Sequence, residues 1–97
     1  MIRLPARVPI NGRWWSVKRR TLRRTFQNGQ RSSTRKLLGL TVPDTRTIWI
    51  SWGLKDADVL STFLHEVIHA SRPELVEAAV AQLEADIIGA LARVKRS

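Results

Sequence analysis

The sequence predicts an α+β domain in which a small antiparallel sheet, made of N-terminal hairpins, packs on a C-terminal helical hairpin. Three observations lead there. Short runs of alternating apolar and polar residues fill the chain up to about residue 52, separated by turn residues at Asn11-Gly12 and Pro43-Asp44. From residue 56 the apolar spacing changes to three and four, the period of a helix. Charge divides at the same place: residues 1–55 hold 13 Lys and Arg against the single acid Asp44, and residues 56–97 hold 4 against 7.

Residues 7–10 and 13–20 are the strands of a first hairpin, because Asn-Gly suits a two-residue turn and Trp15 and Val17 alternate with Trp14 and Ser16. Between 21 and 36 the period disappears. Asn28-Gly29, Ser32 and Ser33 sit there among arginines, which predicts a long mobile loop or a frayed hairpin end. Residues 37–42 and 46–52 flank Pro43-Asp44, and Ile48, Ile50 and Trp52 alternate with Thr47, Trp49 and Ser51. A second hairpin with one buried face is expected. Asp56 or Asp58 can cap a helix running to about Ala70. On it, Val59, Leu60, Phe63, Leu64, Val67 and Ile68 occupy one arc, and Asp58, Thr62, His65, Glu66 and His69 the opposite one. Ser71 and Glu74 have capping-box spacing, with Pro73 tolerated in a first turn. A second helix is therefore expected after a very short break, with the stripe Val76, Val80, Leu83, Ile87, Leu91 and Val94.

Both histidines fall in one segment, His65-Glu66-Val67-Ile68-His69, which has the form HExxH. Four residues make about one helical turn, so the two imidazoles can converge on one metal ion while Glu66 reaches a water beside it. The motif lies on the arc turned away from the apolar stripe, which marks it as a site and not as core. With no cysteine and no other histidine in the chain, a third ligand to zinc has to be a carboxylate: Glu74, Glu77, Glu84 or Asp86. Counting outward from a turn near residues 71 and 72, Glu77 stands level with His65 and Glu66. Glu84 falls roughly 10 Å further along the helix by its rise per residue, and Glu74 is committed to the cap. Glu77 is the expected ligand.

The run Gly39-Leu40 through Thr47-Ile48-Trp49-Ile50, then Leu60 to Ala70 with the HExxH motif, then Glu77, Val80 and Leu83, resembles the small HExxH proteins of phages and prophages. These are minimal gluzincin-type metallopeptidases, with SprT-like proteases as more distant relatives. The similarity spans roughly residues 10–92. The resemblance implies a small sheet packed on the active-site helix, zinc held by His65, His69 and Glu77, and Glu66 acting as base on a water that attacks the peptide carbonyl. It also implies a peptide or protein substrate, which can lie as an added strand along a sheet edge near Thr47–Ser51. The chain departs from many HExxH hydrolases in having no Tyr and no further His to stabilise an oxyanion, which leaves an Arg or a backbone N–H for that role.

The basic half adds a second class of function. Lys18, Arg19 and Arg20 with Arg23 and Arg24, and Arg31 with Arg35 and Lys36, can neutralise the phosphates of DNA or RNA or form a solvated face. SprT-like members act near DNA, which would suit that half. The alternative to a peptidase is thus a small basic nucleic-acid-binding phage protein with a structural or vestigial zinc site. At their alternating positions, at least half of Trp14, Trp15, Trp49 and Trp52 are expected in the core. Residues 1–97 are read as one domain, 1–55 strand-rich and 56–97 the helical hairpin. Nothing resembles a signal peptide or a membrane-spanning run. Since no disulfide requires an oxidising compartment, the expected location is the cytoplasm, that of the host cell if the chain is phage-encoded.

Overall fold

The computed structural model describes residues 2–27, 32–36 and 38–95, without the side chains of 23–27 and 32–36. Strands β1 (Arg7–Ile10), β2 (Arg13–Arg20), β3 (Arg23–Gln27), β4 (Ser32–Lys36), β5 (Gly39–Val42) and β6 (Thr47–Ser51) precede helices α1 (Asp56–Ser71) and α2 (Glu77–Leu91). The class is the expected α+β one. A four-stranded sheet has the order β1-β2-β6-β5, and among the described residues β3 and β4 form a separate two-stranded sheet.

The first hairpin turns at Asn11 and Gly12, both at positive φ, as a two-residue turn with the twist of the flanking strands requires. Asn11 Nδ2 also donates to the Ser71 carbonyl at 3.0 Å, tying this turn to the end of α1. The second hairpin, β5–β6, turns through a single 3-10 turn at Pro43–Thr45, closed by Arg46 in the left-handed region. What the local signals do not reveal is how the two hairpins join. β6 lies between β2 and β5 and runs parallel to β2, with Ser16 opposite Thr47 and Arg20 opposite Ser51, so the sheet is mixed and not wholly antiparallel.

Residues 21–36 also differ from expectation. Backbone pairing of β3 with β4 places Arg23 opposite Lys36 and Thr25 opposite Thr34; the turn residues 28–31 are outside the described set. Ladder hydrogen bonds form this hairpin from the segments Arg-Arg-Thr-Phe-Gln and Ser-Ser-Thr-Arg-Lys, in which Phe26 is the single large apolar residue, so no apolar period announces it.

The core is Ile10, Trp15, Ile48, Ile50 and Ala70, with Leu4, Val8, Leu54, Phe63 and Val67 packed around it. It sits between α1 and one face of the sheet. Several expectations about the arcs need correcting. Both faces of β6 include buried residues, Thr47 and Ser51 as well as Ile48 and Ile50; Trp52, past its end, is exposed. On α1, Leu60 is exposed while Thr62 and Glu66 are buried, because β5 packs over that side of the helix. On α2 only Val80 is buried; Val76, Leu83, Ile87, Leu91 and Val94 are exposed.

Among the described residues no helix covers the sheet face that carries Trp14, Lys18, Arg20 and Trp49. Cations stack on indoles there: the Arg7 guanidinium lies 4.7 Å from the Trp14 ring, Arg20 lies 4.6 Å from Trp49, and the Lys18 ammonium lies 5.7 Å from the same ring. Only Trp15 of the four tryptophans belongs to the core; Trp49 is half-buried, and Trp14 and Trp52 are 57% and 56% exposed. Among the described residues no helix is long and apolar enough to cross a membrane.

Candidate metal centre

The HExxH residues lie in the middle of α1, which starts after Lys55 without a side-chain cap; Asp56 and Asp58 fall in its first turn, where carboxylates offset the helix dipole. Neither serves as the expected N-cap. The Asp56 carboxylate instead accepts from the Ile2 N–H at 3.2 Å. The break to α2 is longer than the sequence suggests. Ser71 is still helical, so it cannot cap α2, and Glu74 lies 3.7 Å from Arg72. Pro73 falls in the turn that Leu75 N–H closes onto the Arg72 carbonyl, and α2 starts at Glu77 with Val76 as its N-cap.

This start places Glu77 in the first turn of α2, facing both histidines. Its Oε1 lies 2.5 Å from His65 Nε2 and its Oε2 lies 3.0 Å from His69 Nε2, while the two Nε2 atoms are 3.2 Å apart. The predicted trio thus comes together, and His65, His69 and Glu77 form a group that could hold a metal ion, with one ligand atom from each within 4.8 Å of the others. Zinc–ligand bonds of about 2.0–2.1 Å in a tetrahedral shell put donors about 3.3 Å apart, close to the Nε2 separation.

Glu84 belongs to the same cluster, contrary to the sequence count. Its Oε1 is 2.7 Å from His65 Nδ1. Glu77, Val80 and Glu84 follow one another at three and four residues, so they share the face of α2 turned to α1. Counting in helix rise alone left out the reach of two extended glutamate side chains leaning toward one ring. The contact has a chemical consequence. A carboxylate only accepts, so Nδ1 carries the proton and Nε2 is left with a lone pair aimed at the Glu77 carboxylate. Lone pairs facing each other at this range repel unless a proton or a metal cation lies between them. Without a metal, the proton fills that role. Burial pushes the His65 pKa down, but the hydrogen bonds of Glu84 and Glu77 and the charges of Glu77 and Glu66 outweigh it and hold His65 above its ordinary value.

Glu66 takes no part in that trio. It is 8% exposed, and the Thr41 hydroxyl donates to its Oε1 at 2.7 Å, with the Glu66 carbonyl 3.1 Å from the same hydroxyl. Burial raises its pKa, and the Thr41 hydrogen bond and the two histidines counter only part of the rise. Room for this carboxylate comes from Gly39. A Cβ at residue 39 would stand 2.8 Å from both Glu66 Cγ and Thr62 Cγ2, closer than packed carbons allow, so only glycine lets β5 approach α1 this nearly. A glycine inside a predicted strand was the available sign of that approach; nothing comparable pointed to Thr41.

These residues line an open cleft of about 700 Å³ between β5, α1 and the start of α2. Its strand wall is β5 and not β6. Thr47–Ser51 is interior to the sheet and offers no edge, which corrects the expected place for an added strand. The Ser51 N–H bonds the Leu38 carbonyl, and in an antiparallel ladder bonded pairs alternate with unbonded ones. The main-chain N–H and C=O of Gly39 and Thr41 therefore point away from β6, along the outer edge of the sheet.

Of the basic residues singled out from the sequence, Lys18 and Arg20 are on the helix-free face. Arg19 alternates to the other side, where its guanidinium stacks 4.8 Å from Trp52 and Nη2 donates to the Ser51 carbonyl at 3.1 Å. Arg23 and Arg24 belong to β3 and Arg35 and Lys36 to β4, and their side chains are outside the described set, as is Arg31. Compared with known protein families, with curated proteins and with solved structures, the chain matches none.

Proposed function

We propose that the protein is a zinc-dependent peptidase whose site is the cleft between β5 and α1. One observation carries the reading: a His-His-Glu group that can hold a cation stands beside a second carboxylate, Glu66, which is buried, oriented by a hydroxyl and outside the ligand group. A purely structural site has no use for that fourth group.

His65, His69 and Glu77 would hold zinc, an all-N/O donor set of the kind found in catalytic sites, and Glu84 would keep His65 in the tautomer that offers Nε2. Bound there, zinc supplies Lewis acidity that polarises a carbonyl and brings the pKa of water to about 7. The chain's own residues do the rest. Glu66 accepts a proton from a water in the cleft and returns it to the departing amine, and its raised proton affinity suits it to both transfers. Thr41 keeps one carboxylate oxygen fixed, so the other is the one available to the water. Gly39 and Thr41 offer main-chain N–H and C=O groups to an extended substrate adding to β5, with side chains alternating into and out of the cleft. An N–H of this edge is the backbone donor best placed for the oxyanion, in a chain that has neither Tyr nor a spare His for it.

Elemental analysis of the purified protein is expected to give about one zinc per chain. Glu66→Gln should keep the zinc and lose cleavage of a denatured protein substrate or a mixed peptide library. A zinc-loaded wild type that cleaves neither, or a Gln variant that cleaves as fast, overturns the peptidase reading.

A further inference from the structure

We infer that the helix-free face of the sheet binds single-stranded nucleic acid, with phosphates neutralised by Arg7, Lys18 and Arg20 and bases stacked on Trp14 and Trp49. The face lies across the sheet from the metal centre, and the reading does not depend on peptidase activity. Strand register gives the layout. Lys18 is opposite Trp49, and Trp14, Lys18 and Arg20 lie on one side of β2 by alternation. Cations and indoles thus interleave across β1, β2 and β6.

Three features single out this occupant. First, the described residues of this face include no acid, and the half of the chain that forms it carries 13 basic residues against one acidic. Second, Trp14 is 57% exposed although it belongs to a strand, whereas its neighbour Trp15 is 7% exposed; an indole left in water on a sheet of this size is available for stacking. Third, the guanidiniums of Arg7 and Arg20 lie over indoles, an arrangement that fixes them and leaves an outward planar surface and N–H donors. Bases splayed from a single strand stack on such a platform without regard to sequence, while phosphates meet the cations at its border. A duplex hides its base faces and cannot use the tryptophans. Stacking and phosphate neutralisation do not read the 2′-hydroxyl, so DNA and RNA strands should bind alike.

The test is fluorescence anisotropy with labelled oligo(dT), oligo(U) and a hairpin duplex, using the zinc-loaded full chain. Expected are similar affinities for the two single strands, weaker duplex binding, and a steep loss of affinity with salt. Trp14→Leu should weaken oligo(dT) binding about tenfold, as loss of one stacked base does. Arg20→Ser should flatten the salt dependence by about one phosphate. Arg93→Ser removes an equal charge from the exposed turn after α2 and should change neither. Glu66→Gln should bind as wild type does, which separates this result from the outcome of the peptidase assay. The proposal is overturned by absence of oligo(dT) binding at low salt, by preference for duplex, by equal losses in Arg20→Ser and Arg93→Ser, or by full binding in a folded Trp14→Leu variant. Binding to anionic phosphatidylglycerol vesicles without binding to oligonucleotides overturns it as well.

Discussion

At His65 the two ring nitrogens do different work, one meeting Glu84 and the other Glu77, and the two glutamates should therefore fail in different ways. If the trio holds zinc as proposed, Glu77→Ala removes a ligand and should cost the most zinc affinity. Glu84→Ala leaves the ligands but frees the ring to rotate and change tautomer, a loss that for such outer partners runs about 10–100-fold. Glu74→Ala should leave affinity unchanged, since that side chain pairs with Arg72 and is not part of the His65, His69 and Glu77 group. Competition with a chromophoric chelator orders the three, and a loss at Glu74 comparable with that at Glu84 would remove the outer role assigned here. The convergence of His65, His69 and Glu77 was legible in the sequence, because a four-residue spacing and a helical count are local quantities. Glu84 and Thr41 act by side-chain reach and by contact between distant segments, and neither has a period.

The elements were legible where a local turn defines them. The first hairpin was read at its observed bounds, and the second within two residues at its ends, because Asn-Gly and Pro-Asp specify tight connections. The start of α2 was misread because the capping pattern at Ser71 lost to continuation of α1 through that residue. Burial of Thr62 and Glu66 was missed for another reason: the surface that covers them comes from β5, and polar residues do not register in an apolar period. That packing makes its own prediction. Gly39→Ala forces β5 and α1 apart or displaces the Glu66 side chain, at a cost of about 1–3 kcal/mol for an overpacked contact. Zinc affinity should survive, since the ligands face α2, while cleavage falls. Urea denaturation, a zinc titration and a peptidase assay on the same variant check all three; unaltered cleavage would show that the close approach is immaterial to Glu66.

For the whole molecule, α2 buries a single residue, Val80, and its firmest other ties to α1 are Glu77 and Glu84 on the histidines. Zinc at a hundredfold excess over its Kd should raise the melting temperature on the order of 10–20 °C in a domain of this size. The effect should depend on pH. In the metal-free protein His65 and Glu66 both have raised pKa values, so their contribution to stability is present below their ordinary values and is lost as pH rises through the folded ones. Zinc needs unprotonated imidazoles and gains over the same range. Chelator-treated protein should melt lower at pH 8 than at pH 5.5, and the gap to zinc-loaded protein should widen; a chelated form that gains stability toward pH 8 would contradict the sign. The parallel pairing of β2 with β6 was the part of the architecture no local signal carried, and it has a consequence for how this chain can change. Arg20 and Gly39 stand at the same end of the sheet, opposite Ser51 and Ile50 of β6, so passing from β2 to β5 means stepping over one strand, a distance of about 10 Å. Three or four extended residues cover it. The chain uses residues 21–38, most of them in the β3–β4 ladder that shares no strand pairing with the main sheet. That ladder is longer than the junction requires: doubling or halving its length alters the closure cost by only about 0.6 kcal/mol, so the arginine-rich hairpin should be exchangeable by evolution or by design while the buried Leu22 ahead of it is kept.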